Sequence, residues 1–278
     1  MPEGRLYVVA TPIGNLDDLT LRARDVLGQA DVIAAEDTRH SRVLMSRHGL
    51  ARPMVALHEH NEEQQSETLV QRMLAGETVA LVSDAGTPLI SDPGYRLVRL
   101  AADAGIEVVA VPGPSAVTAA LSVSGLPTDR FAFEGFLPAR RAARRKILSG
   151  LLVEPRTLVF FESSHRIGES LEDLAQVFGP GRAAVLCREL TKQFETVLRG
   201  SLGELQRRVA ADANQRKGEF VLVVAGAPAE TTTGLAAAME LARMLQDQVG
   251  QSQAARIAAK IHGVSRREVY ERLNTASE

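Results

Sequence analysis

The sequence has a single cysteine, Cys187, among 278 residues. One thiol cannot close an intramolecular disulfide or hold a metal cluster by itself, which indicates a reducing compartment. An excess of one charge is absent too, since 32 Lys and Arg stand against 34 Asp and Glu, giving a formal net charge of -2. This balance argues against a protein surrounded on all sides by nucleic acid, although it is compatible with a local basic patch.

Long apolar runs are missing as well. The N-terminal stretch MPEGRLYVVATP lacks the apolar length that a signal peptide or a membrane span requires. We therefore expect a soluble, cytoplasmic protein without a membrane partner.

Several common site motifs do not occur. No G-x-G-x-x-G follows the first predicted strand and no G-x-x-x-x-G-K-[ST] is present, so the sequence offers neither a dinucleotide fingerprint nor a P-loop. His58 and His60 flank Glu59, but H-E-H differs from the H-E-x-x-H of a zinc helix, and no further Cys or His lies at ligand spacing. We expect no metal site.

The first 113 residues alternate strand patterns with helix patterns. Strands are predicted at 5–10, 31–36, 53–59, 78–84 and 106–112, and helices at 19–30, 63–76 and 95–105. The strand segments are continuously apolar, which is typical of strands buried on both faces. This order predicts an α/β domain with a mostly parallel, doubly wound sheet.

A second α/β domain is predicted for residues 114–228. It begins with a small-residue helix at 115–125, and its strand patterns include AAVLCREL (183–190) and ETVLRGSL (195–202). The gap between these two strands is too short for a helical crossover, so they should pair antiparallel in a mixed sheet.

Residues 232–278 are predicted to form a third, helical module after the linker-like stretch 226–234. Two of its helices meet at Gly263, and Ser265 with Glu268 matches a capping box at the start of the last helix. The pattern indicates a helix-turn-helix-like arrangement.

Three loops rich in small and rigid residues follow predicted strands: ATPIGNLDD (10–18), SDAGTP (83–88) and VPGPSA (111–116). Ligands of open α/β sheets bind at the carboxyl edge, where these loops should meet. Asp84 directly follows a buried strand and is predicted to contact a ligand, whereas Asp92, followed by proline, is predicted to start the next helix. The alternative for each loop is an ordinary turn.

Five motifs follow or end predicted strands along the chain: PIGN (12–15), SDAGTP (83–88), PGPSA (112–116), FFESSHR (160–166) and CRELTK (187–192). In combination they resemble the tetrapyrrole methylase superfamily. Within it the whole chain, including EDTRHS (36–41) and the C-terminal helices, is similar to the members that methylate small-subunit ribosomal RNA. One difference is Ser164, which stands where these members commonly have proline.

The resemblance implies two α/β domains with S-adenosylmethionine bound between them. The positions that match the cofactor site are Pro12, Asp84, Thr87, Ser115, Ala116, Phe161, Glu162 and Leu190. The resemblance also implies that the acceptor is the ribose 2′-hydroxyl of a cytidine in 16S ribosomal RNA, within the 30S subunit, and that the protein is a homodimer.

A sugar hydroxyl is a poor nucleophile at neutral pH, so a base near it would help. The candidate catalytic residues are Glu36, Asp37, Arg39, Glu162, His165, Glu189 and Lys192. The alternative is that individual members of this set only tie loops together as ion pairs.

A basic helix is predicted in LPARRAARRKIL (137–148). Arg140, Arg141, Arg144 and Arg145 repeat there at i,i+4 spacing and should form a stripe that follows RNA phosphates, unless it is simply a solvated face. Arg39, with His40 and Arg42, is expected on the loop after the second strand, where it could contact RNA more closely.

Two other functions are compatible with parts of the sequence. One is a methylase of small tetrapyrroles, which would need neither a basic helix nor a C-terminal module. The other is a non-catalytic nucleic-acid-binding protein that uses the helix-turn-helix-like module, for which the ordered loops at the sheet edge would serve no purpose.

Overall fold

The computed structural model describes residues 4–275, and the side chains of 229–233 and 275 lie outside the description. The described chain forms two compact units. Unit 1 contains the residues up to Ser122 together with Glu189–Glu195, and unit 2 contains Val123–Arg188 and the residues from Thr196 onward. The predicted boundary at 113/114 therefore lies nine residues too early, and one segment from the middle of the second predicted domain packs in unit 1.

Unit 1 is built on a five-stranded sheet whose strands are all parallel. The strands are β1 (Arg5–Val9), β2 (Val32–Ala35), β3 (Met54–Ala56), β4 (Thr78–Val82) and β5 (Glu107–Val111), in the order β3-β2-β4-β1-β5. The helices are α1 (Leu21–Gln29), α2 (Thr38–Arg47), α3 (Glu62–Leu74), α4 (Tyr95–Asp103) and α5 (Ala116–Ser124), with a short 3-10 helix at Leu16–Asp18.

Both faces of this sheet are covered by helices. Leu81 packs in an apolar cluster with residues of α3 and α4, while its neighbour Ala80 packs in a second cluster with residues of α1 and α2. Successive side chains of a strand point to opposite faces, so a strand covered on both sides must be apolar at every position. The predicted parallel, doubly wound arrangement is confirmed.

The segment after β2 differs from the sequence prediction. Residues Thr38–Arg47 form α2, so Arg39, His40 and Arg42 lie on a helix and not on a loop. The Asp37 side chain caps this helix by accepting the backbone N–H of Arg39 at 2.8 Å.

The start of α4 also differs. Asp92 does not begin this helix, which starts at Tyr95 after Gly94, a residue with φ of 121°. The carboxylate of Glu62 accepts the backbone N–H groups of Gly94 and Arg96 at 2.9 and 3.1 Å. A side chain from α3 thus fills the capping role that Asp92 was predicted to fill, and Asp92 is left available for other contacts.

Unit 2 contains a mixed sheet. Its strands are β6 (Phe131–Phe136), β7 (Thr157–Ser163), β8 (Ala183–Arg188), β9 (Thr196–Ser201) and β10 (Glu219–Val224), in the order β6-β7-β10-β8-β9. β6 and β7 are parallel and the remaining pairs are antiparallel, including the predicted pair β8 and β9. The helices α6 (Arg141–Gly150), α7 (Ile167–Phe178) and α8 (Leu202–Ala211) accompany it, with a 3-10 helix at Ala213–Arg216.

Three helices complete unit 2: α9 (Ala229–Val249), α10 (Gln251–His262) and α11 (Arg266–Thr275). They enclose a small core rich in alanine, against which Val153 packs, and Arg272 donates a hydrogen bond to the Ser149 carbonyl at 2.8 Å. α9 begins inside the predicted linker 226–234, and these contacts join the predicted third module to unit 2. The last three residues of that module, 276–278, lie outside the described residues. Among the described helices, none is long and apolar enough to cross a membrane.

Candidate active site

Three loops meet at the carboxyl edge of the unit 1 sheet. Thr11, after β1, and Gly86, after β4, exchange two backbone hydrogen bonds of 2.8 and 3.1 Å. The Thr87 hydroxyl donates to the carbonyl of Pro114, after β5, at 3.0 Å. The prediction that these small-residue loops lie side by side is confirmed. Helix α5 begins at Ala116, so its first N–H groups face outward from the same edge of the sheet.

Glycine is required where two of these loops approach each other. Gly86 has φ of 84°, and a Cβ there would lie 3.3 Å from the side chain of Ile13. A left-handed backbone favours glycine, and the missing side chain keeps this part of the edge open.

A fourth segment, Glu189–Glu195, lies on the loop after β1 and is called the 189–195 segment below. The backbone N–H of Asn15 donates to Thr191 Oγ1 at 3.1 Å. A Cβ on Gly14 would lie 2.5 Å from Lys192 Cγ and 2.9 Å from the Leu190 carbonyl oxygen. Sequence reasoning assigned the CRELTK motif to unit 2 and therefore missed that it completes the edge of unit 1.

The 189–195 segment carries backbone strain. Glu189 and Thr191 have φ of 51° and 66°, in the left-handed region that non-glycine residues rarely adopt. Each such residue costs about 1–3 kcal/mol and persists only where its surroundings hold it. Lys192 forms an ion pair with Glu189 at 2.9 Å, so these two catalytic candidates neutralise each other's charge.

Three carboxyl groups, Glu36, Asp84 and Asp92, influence one another at the ends of β2 and β4, and they are called the acidic cluster. Asp84 Oδ1 accepts the backbone N–H of Asp37 at 3.0 Å, which ties the loop after β4 to the start of α2. Burial raises the pKa of Glu36, and the charge of Asp84 raises that pKa further. Among residues 4–275, no group of three or more His, Cys, Asp or Glu side chains is placed to hold a metal ion.

Asp92 is the most strongly perturbed member of the acidic cluster. Burial, and then the charges of Glu36 and Asp84, raise its pKa to about 7, against the opposing effect of a hydrogen bond from Ser83. Its neighbours Leu89 and Ser91 both have positive φ, at 73° and 69°. A carboxyl with this pKa changes its protonation state near neutral pH, which makes it suited to exchanging a proton.

Arg39 is held by its neighbour on α2. Its guanidinium donates to both carboxylate oxygens of Asp37, at 3.0 and 2.7 Å. These hydrogen bonds lower the pKa of Asp37 well below its ordinary value. The Arg39 side chain is 87% exposed and so stays accessible to a ligand or to RNA.

The candidates Phe161, Glu162 and His165 lie in unit 2. Glu162 is buried: one carboxylate oxygen accepts the Ser170 hydroxyl at 2.5 Å, and the other accepts the Arg166 guanidinium at 3.0 Å and the Ser163 N–H at 2.8 Å. Both oxygens are occupied, so Glu162 fixes the FESSHR turn. Its predicted contact with cofactor or reacting atoms stays a prediction. The side chain of His165 is exposed.

Phe161 belongs to an aromatic group on the unit 2 sheet. Its ring packs edge-on against Phe133 and Phe136, with centroid distances of 4.8 and 5.5 Å. Phe161 is half-buried, and its predicted contact with a cofactor stays a prediction.

The arginines of α6 bind a carboxylate of α7. Asp173 is fully buried and accepts hydrogen bonds from Arg141 at 3.0 Å, from Arg144 at 2.8 Å and from Arg145 at 2.7 Å. Arg144 itself is fully buried. The prediction that Arg144 binds RNA is therefore wrong, because the sequence reveals the i,i+4 spacing of the arginines but not the acidic helix that packs against them. Arg140 stays exposed and precedes the helix.

Comparison with known proteins agrees with this architecture. The family model "Tetrapyrrole (Corrin/Porphyrin) Methylases" matches residues 5–206, and the model "RsmI C-terminal HTH domain" matches residues 232–276. In solved structures, the uroporphyrin-III-C-methyltransferase from Thermus thermophilus superposes with a TM-score of 0.57 at 24% identity, covering 80% of this chain and 94% of that one. Identity at this level shows a shared fold.

Similarity to two curated proteins is much higher. The ribosomal RNA small subunit methyltransferase I of Xylella fastidiosa (strain Temecula1 / ATCC 700964) is 55% identical over 267 residues, which cover 96% of this chain and 98% of that protein. The protein of the same name from Escherichia coli O157:H7 is 51% identical, covering 96% and 94%. The chain therefore belongs to the tetrapyrrole methylase family and, within it, to the ribosomal RNA small subunit methyltransferase I proteins.

Proposed function

We propose that the chain transfers the methyl group of S-adenosylmethionine to the ribose 2′-hydroxyl of a cytidine in 16S ribosomal RNA, within the 30S subunit. The observation that carries the proposal is 55% identity, over nearly the full length of both chains, to a curated ribosomal RNA small subunit methyltransferase I. A tetrapyrrole substrate is disfavoured because residues 232–276 match the model "RsmI C-terminal HTH domain", a helical module that a small tetrapyrrole would not need.

The sheet edge of unit 1 fits a nucleoside-containing, positively charged cofactor. The residues assigned to the cofactor in this unit are Pro12, Asp84, Thr87, Ser115, Ala116 and Leu190. The Thr11–Gly86 and Thr87–Pro114 hydrogen bonds hold the loops that carry them, and Gly86 lets their backbone approach a ligand closely. Carboxylates of the acidic cluster can balance the charge of a sulfonium.

Bound S-adenosylmethionine would supply an electrophilic methyl group. The contribution of the chain is to align acceptor and methyl carbon, which supplies much of the rate in an in-line displacement, and to accept the proton that the 2′-hydroxyl loses. The candidates for that proton are Glu36, His165 and Glu189, together with Asp92 of the acidic cluster. Burial raises the pKa of both Glu36 and Asp92, which makes each of them a stronger base than an ordinary carboxylate.

The reaction can be tested with methyl-labelled S-adenosylmethionine and 30S subunits from a strain lacking the corresponding gene. Digestion of the RNA should yield label in 2′-O-methylcytidine. Label in a base, or label transferred only to an added uroporphyrinogen, would contradict the proposal. Naked 16S RNA in a parallel reaction tests whether the assembled subunit is required, and light scattering of the purified chain tests the expected homodimer.

A further inference from the structure

We infer that the C-terminal helices hold a binding site for a backbone phosphate of RNA, formed by Ser252, Arg256 and Arg266. The inference rests on the proposed function, because an RNA substrate is what would bring a chain of phosphates to this surface.

Two cavities lie side by side at the beginnings of α10 and α11. The first, of about 390 Å³, is lined by Gly250, Ser252, Arg256 and Arg266 among others. The second, of about 440 Å³, is lined by Ser252, Ser265, Arg266, Arg267 and Tyr270. Both cavities share Ser252 and Arg266 in their linings, and together they are called the basic groove below.

The side chains at the centre of the basic groove are arranged in advance of any ligand. Arg266 donates a hydrogen bond to Ser252 Oγ at 3.0 Å, which holds its guanidinium over the start of α10. A guanidinium presents its N–H groups as a planar fork that matches two phosphate oxygens, and only part of that fork is used by Ser252. Arg256 enters the same cavity from one turn further along α10.

The basic groove also carries an excess of positive charge. Residues 251–267 contain Arg256, Lys260, Arg266 and Arg267, and they contain no Asp or Glu. Arg267 does pair with Glu271 at 2.8 Å, but its side chain is 84% exposed, where an ion pair contributes little and leaves the cation accessible.

This environment contrasts with α6, the basic helix singled out by its sequence. There Asp173, with Glu169 and Glu172 of the same helix, binds the arginines within unit 2. Among the residues that the structure describes, no Asp or Glu lines either cavity, so the field of the arginines is left for an external anion. The positive ends of α10 and α11, which are 12 and 10 residues long, add to this field.

Tyr270 favours RNA over an isolated anion. It lines the second cavity next to Arg266, and 38% of its surface is exposed. A phosphate held by Arg256 and Arg266 would place the adjoining nucleoside near this ring, and aromatic rings provide stacking surfaces for unpaired bases. A free phosphate would make no use of that part of the basic groove.

The test compares the full-length wild type with the double variant Arg256→Ala, Arg266→Ala by measuring affinity for 16S RNA and for 30S subunits at several salt concentrations. The expected result is a loss of affinity of about tenfold or more, with the slope of log K against log salt reduced by about one for each arginine that contacts a phosphate. Arg243→Ala, an exposed arginine of α9 outside both cavities, is the matched control and should change neither quantity.

A second variant separates charge from geometry. Arg266→Lys retains the charge but not the planar fork, so its RNA affinity should fall between those of the wild type and the double variant. The melting temperature and S-adenosylmethionine affinity of each variant should match the wild type, because the substitutions lie at exposed positions outside unit 1.

Several outcomes would overturn the site. Unchanged RNA affinity in the double variant would do so. If RNA affinity is unchanged and the double variant no longer binds inorganic phosphate, the basic groove is a small-anion site. If RNA affinity is unchanged and the oligomeric state changes, the basic groove is an interface between copies of the chain. If the wild type binds RNA but methylates no ribose, the proposed reaction fails while the binding measurements still decide the site.

Discussion

Asn15 and Thr191, which are 176 positions apart, are joined by a hydrogen bond of 3.1 Å from the Asn15 N–H to the Thr191 hydroxyl oxygen. The bond fixes the 189–195 segment on the loop after β1. It lies next to Gly14, where the segment packs so closely that there is no room for a side chain. Positive φ at Glu189 and Thr191 shows that the segment keeps an unfavourable backbone there. The position of this segment is therefore expected to matter for binding at the sheet edge.

Gly14→Ala should displace the 189–195 segment. The added Cβ would lie 2.5 Å from Lys192 Cγ and 2.9 Å from the Leu190 carbonyl, and the backbone atom cannot simply rotate away. We expect S-adenosylmethionine affinity, measured by calorimetry, to fall about tenfold, which corresponds to ~1.4 kcal/mol of binding free energy. Gly168→Ala on α7 is the matched control, because its Cβ meets no atom within 4 Å. Equal affinities for wild type and Gly14→Ala would show that the segment does not shape the cofactor site.

The sequence was sufficient to predict both sheets because their main signal is local. Continuous apolar strands such as Val32–Ala35 indicate a sheet covered on two faces, and the short connection between β8 and β9 permits only an antiparallel pair. The loops at the sheet edge were also predictable, since each directly follows its strand. Helix α2 could have been found from Asp37 as a cap and from the spacing of the buried Ser41, Leu44 and Met45.

Other features depend on residues that are distant in the sequence. Asp92 has a proline after it, as a helix start would, yet Glu62 caps α4 and Asp92 joins the acidic cluster. Likewise, the arginines of α6 look like an RNA-binding stripe until Asp173 of α7 is placed against them. Local patterns identify which residues are charged, but tertiary packing decides which charges remain for a ligand.

Asp84 accepts the Asp37 N–H, and we also propose that its charge stabilises the bound cofactor; the variants Asp84→Asn and Asp84→Ala distinguish these two roles. Asparagine keeps an oxygen that can accept the Asp37 N–H, so the loop should remain in place while the negative charge is lost. We expect Asp84→Asn to weaken binding of the cationic S-adenosylmethionine by about tenfold and binding of neutral S-adenosylhomocysteine much less. Asp84→Ala should weaken both. If Asp84→Asn lowers the affinity for both ligands equally, the carboxylate acts through loop geometry and not through its charge.

Arg144→Met should destabilise unit 2 without affecting RNA binding directly. Arg144 and Asp173 are both fully buried, and removing one partner leaves the carboxylate with Arg141 and Arg145 alone. Loss of one member of a buried ion pair costs about 3 kcal/mol, which urea unfolding would detect. Arg140→Ala, an exposed arginine next to the same helix, should unfold like the wild type. A specific loss of RNA affinity in Arg144→Met, at unchanged stability, would restore the original RNA-binding assignment.

Asp92→Asn should change how stability depends on pH. The pKa of Asp92 is about 7 in the folded chain and close to its ordinary value of 3.8 when unfolded. Between about pH 4 and pH 7 the folded state therefore holds a proton that the unfolded state has lost, so this group makes stability fall as pH rises through that window.

The amide cannot ionise, so Asp92→Asn should match the wild type near pH 4 and exceed it at pH 8. Because Asp92 is only partly buried, we expect a gain on the order of 1 kcal/mol, or roughly 2–4 °C in melting temperature. Melting curves recorded from pH 4 to pH 8 test this, with Asp103→Asn, an exposed carboxylate of α4, as the control. A constant difference between Asp92→Asn and the wild type at every pH would mean that Asp92 does not titrate in this range, and its place in the acidic cluster would then have to be explained by hydrogen bonding alone.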